Sequence, residues 1–190
     1  MKEKPPSKRE PLAIVGIGCN FPGDAHGPDS FWKLLMGGVD AISEIPKDRW
    51  SMVYYDPVQG KPGKIYTKWG GFVAGIDLFD PVPFNIPERE AKFMDPQQRF
   101  LLQATWEAIE DAGIQVDASR PQSVGVFVGI STFDYAVIQT STAEYSEADP
   151  YSATGTSLSI AANRISYCFN FLISQSSILV TGDLNADSLL

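Results

Sequence analysis

Covalent catalysis needs a thiol or hydroxyl beside a base. This sequence has two cysteines, Cys19 and Cys168, and one histidine, His26. Cys19 stands in "LAIVGIGCNFPG", shortly before His26 in "DAHGPDS". Proximity makes a Cys19–His26 dyad conceivable, but Asp24 and Asp29 are the sole nearby groups that could orient the imidazole. A histidine beside glycine and proline in a loop is ordinarily solvated, and an unactivated cysteine behaves as a small hydrophobe. Cys168 falls on the apolar side of a helical pattern and reads as core. Gly16 and Gly18 supply half of a G-x-G-x-x-G cradle, but Phe21 occupies the third glycine position. A capped helix is not expected before about Ser30, so no helix N-terminus would hold a pyrophosphate there.

Metal and acid chemistry fare no better. One histidine and two distant cysteines cannot supply the three or four ligands of a zinc site. The acid clusters Glu88/Glu90, Glu107/Glu110/Asp111 and Glu147/Asp149 read as solvated faces. The Glu107 cluster also lies at a helix C-terminus, which disfavours negative charge. "NADSLL" faintly echoes the serine of phosphopantetheine carriers at Ser188, without room for the helix that must follow it. No catalytic, cofactor-binding or metal-binding residue is therefore assigned.

The elements that would position any site are clearer. The apolar run Leu12–Ile17 predicts a buried strand. Asp29 or Ser30 can cap a short helix with Phe31, Leu34 and Leu35 on one face, ended by Gly37-Gly38. Residues 40–71 read as a long irregular loop, a surface excursion pinned by Trp50, Tyr54, Tyr55, Tyr66 and Trp69. In "MDPQQRFLLQATWEAIEDAG", Asp95 predicts an N-cap, Pro96 the first helical position, and Gln98 a capping box. Leu101, Leu102, Thr105, Trp106, Ile109 and Ala112 follow helical spacing, and Gly113 stops the run. "SVGVFVGIS" (Ser123–Ser131) predicts a strand buried on both faces. "TGTSLSIAANRISYCF" predicts one helix with Leu158, Ala161, Ile165 and Cys168 along one side. Its many small residues admit a close backbone. "SSILVTG" reads as a short strand. Strands alternating with helices predict an α/β fold with a mostly parallel sheet.

Composition bounds the rest. The chain has 190 residues, 44% of them hydrophobic and 20% charged, with a net charge of −8. Such an acidic chain is a poor general ligand for nucleic acid or anionic membranes. It has no apolar run long enough to span a membrane, and residues 1–10 lack the apolar core of a signal peptide. Two cysteines make no disulfide scaffold, so a cytoplasmic protein with free thiols is expected.

The succession "PLAIVGIGCNFPG", "FWKLLMGGVDAISEIPKDRW", "MDPQQR" with "WEAIEDAG", "VGVFVGIS" and "ATGTSLSIAANRISY" resembles the ketosynthase of modular polyketide synthases. The resemblance divides the chain into a charged tail (1–10), a beta-ketoacyl synthase N-terminal half-domain (11–170) and a divergent tail (171–190). It implies the first half of a thiolase-like layered fold, normally dimeric. The implied reaction loads an acyl group onto a cysteine thiolate. That acyl group is then joined to a decarboxylating malonyl unit on the phosphopantetheine of an acyl carrier protein, with two histidines assisting. The family's nucleophile lies in a "DTACSSS" motif after the "ANRISY" helix. Here the resemblance stops near Phe169–Asn170, and Gly182 stands where that cysteine is expected. Cys19 and Cys168 occupy packing positions of the pattern. The expectation is a chain that lacks the catalytic cysteine and both histidines and is inactive alone. The alternatives are a partner-binding or carrier-docking module, or one half of a split ketosynthase.

Overall fold

The computed structural model describes residues 11–49, 52–117, 119–142, 149–172 and 177–179. A two-stranded antiparallel ribbon, β1 (Asn20–Phe21) and β2 (Ala25–His26), turns at Gly23 and Asp24, both with positive φ. It feeds directly into helix α1 (Gly27–Met36). The helix starts before the expected Asp29 or Ser30 because the Gly27 N–H is taken by the Cys19 carbonyl at 2.8 Å. Pro28 then occupies a position that needs no donor. Gly37 and Gly38 end the helix, as its sequence predicts.

The excursion after α1 is closed at its base by β3 (Ile42–Glu44) pairing antiparallel with β4 (Trp69–Gly71). Backbone bonds hold it farther out, where Ile65 exchanges hydrogen bonds with Tyr54 and Asp56. Three of the aromatics expected to pin it do not, since Tyr54, Tyr66 and Trp69 are each at least half exposed, while Tyr55 is half-buried. Trp50 lies outside the described residues.

Short α2 (Glu88–Phe93) leads through Met94 into the long α3 (Pro96–Asp111). Leu102 of α3 is fully buried in one core cluster with Phe84, Ile86, Met94, Val128, Ile130, Ala161, Ala162, Ile165, Phe169 and Phe171. Trp106 caps this core from the rim, its ring edge-on to Phe84. Strand β5 (Phe127–Gly129) pairs in parallel with β6 (Ser177–Leu179), the parallel pairing the sequence predicts. The strand is not buried on both faces. Val128 and Ile130 are buried, but Phe127 is 69% exposed, because nothing covers the second face among the described residues.

Helix α4 (Asp134–Thr142) precedes α5 (Pro150–Thr156) and α6 (Ile160–Cys168). The single helix expected over 154–169 is thus two helices broken at Ser157-Leu158-Ser159. Ala161, Ala162 and Ile165 face the core, and Leu158 and Cys168 flank it.

The run Leu12–Ile17 is the largest departure. Without strand pairing among the described residues, it exposes Leu12 (97%), Ile14 (84%) and Val15 (64%). It is held by its glycines. A Cβ on Gly16 would lie 2.1 Å from the Ala108 carbonyl, and one on Gly18 2.1 Å from that of Ala104. The segment therefore runs directly across the backbone of α3, and the Ile17 N–H is fixed by the Asp111 carboxylate at 2.9 Å. Gly16 and Gly18 serve close packing of chain on helix, not a phosphate.

Candidate functional site

Asp95 caps α3 as its sequence predicts, its carboxylate accepting from the Gln97 N–H at 2.8 Å. The capping box does not close. The Asp95 N–H donates to the Gly155 carbonyl instead, at 2.9 Å. Gln98 is thereby free to turn inward. Its Nε2 donates to the carbonyls of Thr154 (3.3 Å) and Ser157 (3.2 Å), which cap the end of α5. Its Oε1 accepts from Arg164 Nε at 2.7 Å. Arg164 also donates to Glu90 of α2 and, at 3.3 Å, to the Thr154 carbonyl. Gln98 is 2% exposed and Arg164 8%, so this is a buried polar junction of α2, α3, α5 and α6. Its members are satisfied, which is the condition for a buried network to hold a fold.

Gly155 makes the junction possible. A Cβ there would fall 2.0 Å from the Phe93 carbonyl, so α5 lies directly on the turn between α2 and α3. The small-residue pattern predicts such an approach.

The N-terminus of α3 also walls a cleft of about 340 Å³ with Arg49, Asp77, Arg99, Asp134 and Tyr135. Arg99 is committed to the Met94 carbonyl (2.6 Å and 2.9 Å) and stacks over Tyr135. Burial pushes the Asp95 carboxyl above the usual range, and the neighbouring charge of Asp134 adds to this. Hydrogen bonds from Gln97 and the charge of Arg99 oppose it.

The chemical candidates do not assemble. Cys19 is buried and His26 exposed. No hydrogen bond joins them among the described residues. His26 lines a surface hollow with Asp29 and Asp111. Cys168 is also free, and burial pushes its thiol up to about 11, so it is a poor source of thiolate. Among the described residues no group of three or more His, Cys, Asp or Glu could hold a metal ion.

One member of each acid cluster has a structural role. Glu90 serves the Arg164 junction. Asp111 fixes Ile17, and Asp149 caps α5 through the Tyr151 N–H while binding Arg89. The Tyr151 bond is the main reason the Asp149 carboxyl sits below the usual range. Glu147, Gly182 and Ser188 lie outside the described residues. Sequence reasoning missed Arg164 and Gln98 as partners, since 66 residues separate them.

The family described as "Beta-ketoacyl synthase, N-terminal domain" matches residues 9–172. This chain belongs to it. A phenolphthiocerol/phthiocerol polyketide synthase of Mycobacterium tuberculosis is 47% identical over 159 residues, covering 83% of this chain and 9% of that protein. A spectinabilin polyketide synthase system protein of Streptomyces orinoci is 44% identical over 167 residues, 87% of this chain and 7% of the relative. The oxazolomycin ketosynthase domain of Streptomyces albus superposes with a TM-score of 0.78 at 34% identity, covering 88% of this chain and 28% of that one. The ketosynthase from module 6 of the Bacillus subtilis bacillaene synthase gives 0.69 at 36%, covering 87% and 25%. The fold is the thiolase-like ketosynthase architecture, and these residues span about a quarter of the solved ketosynthase chains.

Within that ketosynthase frame, the two most specific motifs of the sequence, "MDPQQR" and "ATGTSLSIAANRISY", meet at the Gln98–Arg164 junction. No helix among the described residues is long and apolar enough to cross a membrane.

Proposed function

We propose that these 190 residues form the scaffold half of a polyketide ketosynthase and do not condense substrates by themselves. The reaction of the whole enzyme would be decarboxylative joining of an acyl and a malonyl thioester. Its partner would be an acyl carrier protein presenting both on phosphopantetheine in the cytoplasm, and a second ketosynthase protomer would complete the dimer. Residues 11–170 would be the half-domain, with 1–10 and 171–190 as flanking tails.

The observation that carries the reading is the separation of thiols from any base. Acyl loading needs thiolate at neutral pH. Cys168 is shifted the wrong way, and Cys19 is buried without a hydrogen bond to the sole histidine. The polar junction that the family motifs build instead locks four helices together, which is a supporting role. The exposed Leu12, Ile14, Phe127 and Tyr167 favour completion by further polypeptide that brings the cysteine and histidines. Carrier docking without catalysis is the other reading compatible with these surfaces.

The test is incubation of the purified chain with an acyl-N-acetylcysteamine thioester, followed by intact-mass measurement. The expected result is no acyl adduct. A stable acyl group mapped to Cys19 or Cys168 would overturn the assignment.

A further inference from the structure

We draw no further inference here: the strongest candidate, the cleft of about 340 Å³ at the N-terminus of α3 between Asp77, Asp95, Arg99 and Asp134, carries none, because Arg99 is already committed to the Met94 carbonyl and, in residues that span about a quarter of the solved ketosynthase chains, nothing in the structure shows what covers or fills it.

Discussion

Replacing Arg164 by alanine removes three hydrogen bonds at once: to Gln98 Oε1 at 2.7 Å, to Glu90, and to the Thr154 carbonyl at 3.3 Å. The Thr154 carbonyl keeps Gln98 Nε2 as a donor, so its loss is small. Gln98 Oε1 has no other partner among the described residues and sits on a residue 2% exposed, a loss of about 1–3 kcal/mol. The Glu90 side chain is 18% exposed and becomes a charge without its counter-ion. Breaking such a pair costs about 3–5 kcal/mol. These terms overlap, so the expected destabilisation is about 3–5 kcal/mol in total, a large share of the 5–15 kcal/mol typical of a domain. The assay is urea unfolding followed by circular dichroism and tryptophan fluorescence, on the parent, Arg164→Ala, Glu90→Gln and the double variant. Because both single changes strand the same pair, the double variant should lose at least about 1 kcal/mol less than their sum. Arg164→Lys keeps the charge but cannot span the three acceptors, and should fall between parent and alanine. A loss below about 1 kcal/mol for Arg164→Ala, or additivity within about 0.5 kcal/mol, would refute the junction as a holding element.

Three further outcomes follow from the geometry. Gly18→Ala would set a Cβ 2.1 Å from the Ala104 carbonyl, so residues 11–19 should lift from α3; faster proteolysis of that segment, with the melting of α3 little changed, checks it. Asp95→Asn keeps the oxygen that accepts from Gln97 but cannot ionise. The folded-state pKa of Asp95 is raised, so its ionised form penalises the fold at higher pH, and the penalty is relieved as pH falls through the raised value toward the ordinary 3.8. The stability advantage of Asp95→Asn should accordingly shrink across that window, and a difference independent of pH would contradict it. At pH 8 iodoacetamide should label Cys168 about 100-fold more slowly than an ordinary thiol of pKa 9.0, because its own lies near 11, and urea should abolish the difference, as read by mass spectrometry.

Local rules made some elements legible. Asp95, Pro96 and Gly113 bound α3 because a cap, a ring without an N–H and a residue free to take positive φ act within one turn. The small residues around Gly155 announced a close approach, though not the Phe93 carbonyl that fills it. Illegible were the features decided across distance. Gln98 fits a capping box by sequence, and the Gly155 carbonyl, 60 residues away from Asp95, takes the donor it would have served. Leu12–Ile17 has strand composition, but a strand needs a neighbour, and the described chain offers it the back of a helix. Ser157–Ser159 carries no proline or glycine to mark the break between α5 and α6; the break is held by Gln98 from outside.

The Arg164 junction also imposes a schedule. Glu90 and Arg164 are 74 positions apart. Chains are synthesised at about 5–20 residues per second, so Glu90 and Gln98 wait about 4–15 s for the residue that satisfies them. During that interval α2 and α3 exist without the clasp that fixes their angle, and loop closure opposes every early attempt to form it. The packing of α2 and α3 is therefore completed only after the "ANRISY" segment has emerged, although both helices are made before it.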